Sequence, residues 1–342
     1  MGLGSSDKGT VRVIAVSYHD SLAVLQEAKP VSAGPFDRTE WFNLFTQHHE
    51  KKLVFCVAKQ GDTMAALPLQ QMDSKRLNAL TNWYSFTWRP LLTENAVAAP
   101  LFAAMARDLK SCARRIVLAP LPDEDASASL LTKAFREAGW FVHRTPCDTN
   151  HTLPVKGRRY ADYLASRPGP LRTTIARRKN ALCIDIITEF HRDAWDIYQD
   201  IYAGSWKPSE GDPRFLKEFA MEEGRAGRLR LGIARHEGAP VAAQFWTVEQ
   251  GTAYIHKLAH RSESNRLSPG TVLTAALMEH MIDRDHVALV DFGTGHDRYK
   301  ADWMEEIRPR FRLDCHNPAH VGSWPHIARA ALQRLASGIS AG

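Results

Sequence analysis

Two stretches of the chain share one pattern of hydrophobic and polar positions. Residues 53–69 and residues 229–247 each contain two β-rich runs separated by a polar turn with a glycine. This pattern predicts a β-hairpin, because glycine and polar residues supply the backbone conformations that a tight turn needs. An amphipathic segment precedes each hairpin, around residues 39–49 in the first copy and residues 214–223 in the second. The repetition indicates duplication of one α/β unit.

Strand and helix patterns alternate after both hairpins, which predicts layers of helices on β-sheets. The second copy continues with a strand over 251–259 and a helix over 270–283, and a polar link over 151–160 separates the copies. The predicted fold class is therefore α/β (α+β), with twisted mixed sheets flanked by helices. We expect one domain over residues 1–150 and a second over residues 151–342.

Composition and charge limit the partners and the cellular compartment that we expect for the protein. The 342 residues carry a net charge of +6 and the sequence pI is about 9.1, which favours anionic partners. Five cysteines are dispersed without CxxC spacing, so we expect a reducing compartment and neither zinc nor a disulfide framework. The sequence shows no signal peptide and no apolar run of about 18 residues. We therefore expect a cytoplasmic protein that binds no metal.

A candidate anion site follows the first strand after the second hairpin. Ser268 suits the N-cap of a helix, Pro269 suits its first position, and Gly270 leaves backbone amides open to approach. Free N–H groups at a helix N-terminus bind anions such as a pyrophosphate, and Arg266 adds a positive charge. Many purely structural helices also begin this way. Because this one lies in a β–turn–α unit, we interpret the stretch through Thr271 as a phosphate-binding turn.

A second candidate stretch runs from an apolar strand into a turn with two glycines and then into a helix. It carries Asp291, Asp297, Tyr299 and Lys300, which are more titratable groups than a plain connection needs. Ligands in open α/β sheets bind at the C-terminal ends of strands, where this stretch lies. The alternative is that the glycines only form the turn and that Tyr299 packs against Trp303.

The strand before the anion turn carries a histidine. Strict alternation places Tyr254, His256 and Leu258 on one face of the strand, and Ile255 and Lys257 on the other. Imidazole titrates near neutral pH, so His256 is a candidate general base, although a lone histidine on a strand is more often structural.

Six short stretches carry a resemblance to a known family. They are Ser205 to Pro208, Gly238 to Ala243, His256 to Ala259, Ser268 to Gly270, Asp291 to Gly293, and Tyr299 through Lys300 to Trp303. Through them the sequence resembles the CelD/BcsL-type acetyltransferase group of the GNAT superfamily, which is related to the Fem-type transferases. The match covers about residues 160–311 and, more faintly, the N-terminal half. It implies a tandem GNAT-like fold in which acyl-CoA binds where two strands splay and donates its acyl group directly to an amine.

The chain departs from the family pattern at the pyrophosphate turn. Many GNAT enzymes carry R/Q-x-x-G-x-G/A there, whereas this chain keeps Arg266 and one glycine, Gly270, displaced by a position. The N-terminal half shows no counterpart of the turn. The resemblance therefore implies one acyl-CoA site, held by Arg266, Ser268, Pro269, Gly270 and Thr271, and a degenerate N-terminal half that shapes the acceptor cleft.

The resemblance also implies catalytic and binding roles for individual side chains. The base that takes the proton of the amine is His256 or Asp291, the latter through a water, and backbone N–H groups near residues 258–260 polarise the thioester carbonyl. Tyr299 protonates the leaving thiolate, and Lys300 holds an anionic group. The other candidates for substrate binding are Trp206, Lys207, Tyr254, Lys257, Asp297 and Trp303.

The predicted function is transfer of an acyl group from acyl-CoA to a primary amine of a cell-envelope precursor, either a lipid amine such as a sphingoid base or an amino sugar of a polysaccharide. Residues 324–335 form an amphipathic segment with a basic side, which suits either the anionic inner face of a membrane or packing on the protein's own core. Two alternatives stay open. One is a Fem-type peptidyl transferase that uses aminoacyl-tRNA, and the other is a non-catalytic GNAT-like module of a polysaccharide biosynthesis complex.

Overall fold

The structure, a computed structural model, describes residues 13–48, 51–295 and 297–339, with the side chains of the last helix described as far as Leu332. The strands within these residues are β1 (Ala15–His19), β2 (Leu53–Gln60), β3 (Thr63–Asp73), β4 (Arg76–Ala79), β5 (Leu91–Leu92), β6 (Arg115–Leu121), β7 (Phe141–Pro154), β8 (Cys183–Ile187), β9 (Leu229–His236), β10 (Ala239–Glu249), β11 (Thr252–His260), β12 (Leu289–Thr294) and β13 (Glu306–His316). The α-helices are α1 (Ala23–Ala28), α2 (Thr39–His48), α3 (Ala98–Cys112), α4 (Ser127–Glu137), α5 (Tyr160–Ala165), α6 (Gly169–Arg178), α7 (Arg192–Ala203), α8 (Pro213–Arg225), α9 (Pro269–Asp283), α10 (Lys300–Trp303) and α11 (Trp324–Ile339).

Both predicted hairpins are confirmed, as β2–β3 and β9–β10. Each turn contains a glycine with a positive φ angle, 60° at Gly61 and 82° at Gly238, which is the conformation that glycine adopts without steric cost. The amphipathic segments before the hairpins form α2 and α8, as predicted. The local patterns therefore specify the same unit twice.

The strands form one mixed sheet with an internal repeat. The strand order is β1-β2-β3-β4-β6-β13-β7-β12-β11-β10-β9-β8, with β5 beside β3. Read from the two edges, β1 to β4 and β6 correspond to β8 to β12. The last strand of each half is exchanged: β7 lies between β12 and β13, and β13 lies between β7 and β6. The predicted tandem fold with a twisted mixed sheet is confirmed.

The predicted link between the halves is wrong over its first four residues. His151 to Pro154 are the end of β7, where Thr152 pairs with Asp291 on one side and Glu306 on the other. The polar side chains of this stretch do not form the hydrophobic pattern of a strand. The stretch is nevertheless a strand, because its backbone is paired on both edges inside the sheet. The predicted boundary at residue 150 therefore lies within a strand that both halves use, and the division into two domains stays a prediction.

A shared core joins the halves between α2 and α8. The ring of Trp41 lies 5.0 Å from that of Phe215 and 5.1 Å from that of Phe219, in edge-to-face contacts. Beside these rings, buried Arg38 donates to buried Glu223 at 2.7 Å. Removing one member of such a pair leaves an uncompensated buried charge and typically costs about 3–5 kcal/mol. Side chains of the N-terminal half can therefore contribute to a site in the C-terminal half.

Candidate active site

β11 and β12 run parallel for three residues and then separate. Residues 252–254 pair with residues 289–291, after which β11 stays beside β10 and β12 stays beside β7. The separation opens a cavity of about 270 Å³, at the position where the resemblance places the acyl-transfer cleft. The cavity is lined by Ile255, His256, Lys257 and Leu258, by Phe292, Gly293 and Thr294, by Asp297, Tyr299 and Lys300, by Tyr202, Lys207 and Pro208, and by Trp83, Tyr84 and Phe86.

A β-bulge in β11 decides which side chains face this cavity. Phe245 pairs with Lys257 and Trp246 pairs with Ile255, so that His256 has no partner on β10. An extra residue of this kind bends the strand and redirects its side chains. As a result His256 and Lys257 lie on the same side. The predicted alternation, which placed them on opposite faces, is wrong because it assumed an unbroken pleat.

His256 sits in an aromatic environment. The surrounding ring centroids lie 5.0 to 5.9 Å away and belong to Phe36, Phe86, Phe219 and Phe245. Its Nε2 is hydrogen-bonded to Oγ1 of Thr247 at 2.8 Å. Burial, together with the positive charges of Arg38 and Lys257, lowers the pKa of His256 to about 3. The imidazole is therefore neutral at physiological pH.

The neutral state of His256 can be checked by NMR. Between pH 8 and pH 5 its ring resonances should stay constant, because a group with a pKa of about 3 binds no proton in that interval. The resonances are assigned by their loss in the variant His256→Gln. A titration of the His256 ring with a midpoint near pH 6.5, the ordinary value for imidazole, would contradict this description of the site.

Lys257 is held in an acidic and aromatic setting. Its Nζ lies 2.8 Å from Oε1 of Glu210, and 4.8 Å and 5.5 Å from the ring centroids of Tyr84 and Tyr202. Burial lowers the pKa of Lys257, and the carboxylate of Glu210 opposes this effect. Cation–π contacts favour the ammonium form, so the lysine charge is retained at the cavity wall.

Tyr299 and Lys300 form the opposite wall. The ring of Tyr299 packs edge to face on Phe292 at 5.7 Å, and burial raises the pKa of the phenol. The phenol is thus protonated at neutral pH and can donate a proton. Nζ of Lys300 donates to the backbone carbonyl of Thr294, and burial lowers the pKa of Lys300. Asp297 lines the same wall and is exposed.

Four of the side chains predicted for catalysis or substrate binding do not line the cavity, namely Asp291, Tyr254, Trp303 and, as described below, Trp206. Asp291 is buried beneath it, accepting hydrogen bonds from the Asn150 side chain and the Gly293 backbone, both at 2.8 Å. The hydroxyl of Tyr254 donates to a backbone carbonyl of the N-terminal half, and Trp303 is buried in the C-terminal core. Among the described side chains, no group of three or more His, Cys, Asp or Glu residues could hold a metal ion.

The predicted anion turn joins β11 to α9. Ser268 occupies the N-cap with φ 48°, and Pro269 begins the helix, but in the described structure the Ser268 side chain makes no capping hydrogen bond. Arg266 is exposed, and Thr271 is partly buried in the first helical turn. The early amides of α9 are therefore free of side-chain caps and open to an anion.

A short loop connects this turn with the cavity. A Cβ added to Gly270 would lie 3.2 Å from Nδ1 of His260, so the histidine ring lies beside Gly270 in the first turn of α9. The ring of Trp206 packs on His260 at 4.3 Å, and the next residue, Lys207, lines the cavity. Of these two adjacent residues, both predicted to bind substrate, Trp206 therefore lies at the anion turn and Lys207 lines the cavity.

Three aromatic side chains of the N-terminal half reach the cavity, and the sequence analysis did not assign them to the site. Trp83, Tyr84 and Phe86 come from the segment between β4 and β5. Phe86 fits because Gly293, with φ 69°, has no side chain: a Cβ there would lie 2.9 Å from the Phe86 ring. The sequence signal for these three residues is the dense aromatic run in this segment. Which cavity the run lines depends on how the two halves pack, and the sequence alone does not show this.

The corresponding opening in the N-terminal half is filled. β4 and β6 also pair in parallel over three residues only, 76–78 with 115–117. Beyond them the buried indole of Trp88 donates to the carbonyl of Pro68 at 2.9 Å, and its backbone N–H donates to the carbonyl of Pro120 at 2.7 Å. From the correspondence of the strands, we infer that this side chain fills the place where the cavity opens in the C-terminal half.

Comparisons with known proteins agree with this architecture. The acetyltransferase (GNAT) domain family matches residues 156–301. Among solved structures, FemX has 9% identity and a TM-score of 0.63, covering 88% of this chain and 96% of that chain. A tandem GNAT protein from the clavulanic acid biosynthesis pathway has 14% identity and a TM-score of 0.50, covering 88% and 98%. The C-terminal domain of a protein assigned as a lysylphosphatidylglycerol synthetase from Agrobacterium fabrum has 13% identity and a TM-score of 0.55, covering 86% and 90%.

No curated protein matches the sequence. At identities this low, the structural likeness shows a shared fold. The family match adds to it, because residues 156–301 include β11, the anion turn, α9 and β12, which form most of the cavity and its entrance. Residues 156–301 therefore match the acetyltransferase (GNAT) domain family, and the chain shares its fold with FemX and with the tandem GNAT protein.

Proposed function

We propose that the protein transfers an acyl group from acyl-CoA to a primary amine of a cell-envelope precursor. The observation that carries this proposal is the open cavity between β11 and β12, joined by the Trp206–Lys207 loop to an uncapped helix start. The pyrophosphate would bind at residues 266–271. The pantetheine would then follow the edge of β11 that is left unpaired beyond Tyr254, which brings the thioester into the cavity.

Two side chains of the cavity are candidates for the proton transfers of this reaction. The amine nitrogen bonds to the thioester carbon, and the carbon–sulfur bond breaks. His256, neutral in this site, accepts the proton that the amine loses, and protonated Tyr299 donates a proton to the leaving thiolate. We propose that Asp291, whose oxygens accept from Asn150 and Gly293, positions the turn after β12 and acts on the reaction only through it.

A thermal-shift panel tests the donor. A ligand that binds the folded state raises its apparent stability by an amount that grows with ligand concentration over Kd. We expect CoA and acetyl-CoA to raise Tm at millimolar concentration, with long-chain acyl-CoAs testing for an acyl-chain subsite. Stabilisation by tRNA and none by any CoA ester would overturn the proposal in favour of an aminoacyl-tRNA donor.

One observation favours this second candidate. The exposed face of α6 and the residues after it carry Arg172, Arg177, Arg178 and Lys179, a basic surface that suits an anionic macromolecule. FemX, similar in fold, belongs to the group that the resemblance associates with aminoacyl-tRNA. If tRNA binds, its affinity should fall steeply with salt, because phosphate contacts release counterions.

A lipid-linked acceptor would bring the protein to a membrane surface. Val321, Trp324 and Leu332 are exposed around α11, with Arg329 beside them, and no described helix is long and apolar enough to cross a bilayer. We predict that the protein sediments with vesicles containing anionic lipid about tenfold better than with neutral vesicles. The double variant Trp324→Ser, Leu332→Ser should lose most of this binding. Equal sedimentation with both vesicle types would exclude an anionic membrane as partner.

A further inference from the structure

Three lysines from separate elements face one small cavity. Lys207 lies in the loop between α7 and α8, Lys257 on β11, and Lys300 at the start of α10. The side chains of Lys257 and Lys300 are only 12% and 5% exposed. Burying an unpaired ammonium group costs free energy. The partners of these lysines therefore decide which ligands the cavity can bind.

The lysines are incompletely paired. Lys257 has the carboxylate of Glu210 at 2.8 Å, whereas Nζ of Lys300 is bonded to a neutral backbone carbonyl. Lys207 forms no ion pair with any residue that the structure describes. Burial lowers the pKa of the other two lysines, the carboxylates of Glu210 and Asp297 oppose this effect at Lys257 and Lys300 respectively, and the charge of Lys207 lowers both pKa values further. Mutual repulsion therefore remains in the cavity as it stands.

The remaining lining offsets only part of this charge. Asp297 is the one acidic residue among the described residues of the lining; it is exposed, and its carboxylate opposes the effect of burial on the pKa of Lys300. His256 is neutral. A positive excess in a partly buried cavity favours an anionic ligand group, since charge-assisted hydrogen bonds are about twice as strong as neutral ones.

We propose that the acceptor is an amine that also carries a phosphate or carboxylate group, and that Lys207 and Lys300 bind this anion beside the reacting nitrogen. The inference rests on the proposed function and specifies its substrate class. At about 270 Å³ the cavity is slightly below the usual size of ligand pockets, so amine and anion must lie close together in the part of the acceptor that enters. The aromatic wall of Tyr84 and Tyr202 then packs against the carbon chain between them.

The test compares amines that differ only by the anionic group. Lysine is paired with cadaverine, and O-phosphoethanolamine with ethanolamine, with acetyl-CoA as donor. We expect kcat/KM to be at least about tenfold higher for the anionic member of at least one pair. In Lys207→Met and Lys300→Met this ratio should fall toward one. Both changes keep the apolar stem, and neither leaves a carboxylate that was in an ion pair with the lysine.

Lys133→Met is the matched control, because Lys133 lies on α4, is 72% exposed and lines no part of the cavity. It should leave the ratio unchanged. Acyl transfer without any preference for the anionic members would overturn this inference while leaving the proposed function intact. No transfer from any acyl-CoA to any amine would overturn the proposed function. A phosphate-binding measurement would then decide whether the anion binds in the cavity.

The binding arm uses inorganic phosphate and calorimetry. Phosphate should bind the wild type and lose at least about tenfold in affinity in Lys300→Met. Gly270→Glu, which blocks the anion turn at the start of α9, should leave a cavity-bound phosphate in place. Phosphate binding that is lost in Gly270→Glu and kept in Lys300→Met would assign the anion to the donor's phosphates and overturn the inference.

Discussion

Titration with CoA is expected to show one site per chain, and the change Gly270→Glu is expected to weaken this site at least about 100-fold. A carboxylate at a helix N-terminus is favourable to the helix, so the fold should survive. The same carboxylate would occupy the early amides of α9 and repel the pyrophosphate. The effect is large because charged hydrogen bonds contribute about 1.5–3 kcal/mol each and several are lost together.

Gly270→Ala is the matched control for this change. It adds the same Cβ, 3.2 Å from Nδ1 of His260, but no charge. The alanine variant should therefore retain CoA affinity within a few fold. Unchanged affinity in a folded Gly270→Glu protein would show that the pyrophosphate binds elsewhere. Two equivalent sites would contradict a closed N-terminal half, in which Trp88 fills the opening beside β6.

The second large effect concerns the cavity side chains. Tyr299→Phe and His256→Gln are each expected to lower kcat about 100-fold, with a much smaller change in the affinity for acyl-CoA. The phenylalanine variant keeps the packing on Phe292 and removes only the proton donor. The glutamine variant keeps a polar group near Thr247 and removes the imidazole. A loss confined to kcat is expected for groups that act in the transition state.

Tyr18→Phe is the control for the tyrosine change. Tyr18 lies on the edge strand β1, where its hydroxyl donates to Asp108, and it does not line the cavity. Its replacement should leave kcat unchanged. Nearly full activity of His256→Gln at every pH would assign the base to a water chain or to the acceptor itself. Full activity of both cavity variants would place the active site away from the β11–β12 opening.

The elements of the fold that are determined by residues close together in the sequence could be predicted. The hairpins, α2, α8 and the start of α9 follow from turn chemistry and from local periodicity. The exchange of β7 and β13 could not, because it pairs residues more than 150 positions apart, such as Thr152 with Glu306, and no local pattern encodes that choice. The same holds for the three aromatic residues that the N-terminal half contributes to the cavity.

The bulge at His256 explains the main error within the site. A period-two pattern contains no sign of one extra residue, so it placed Lys257 on the wrong face. The resemblance nevertheless named His256, Lys257, Tyr299 and Lys300, which the structure brings into one cavity. The environment of each group, such as the phenylalanine rings that keep His256 neutral, depends on packing between the two halves and was inaccessible to sequence reasoning.

Amine-dependent release of CoA measures the proposed acyl transfer itself. Acetyl-CoA and a panel of primary amines are incubated with the protein, free thiol is measured, and the acylated amine is identified by mass spectrometry. Acyl transfer from acyl-CoA should give equal amounts of thiol and N-acyl product with at least one amine, and this activity should be retained in Gly270→Ala and lost in Gly270→Glu. No thiol release from any acyl-CoA, while an aminoacyl-tRNA is consumed in the presence of the same amines, would contradict it.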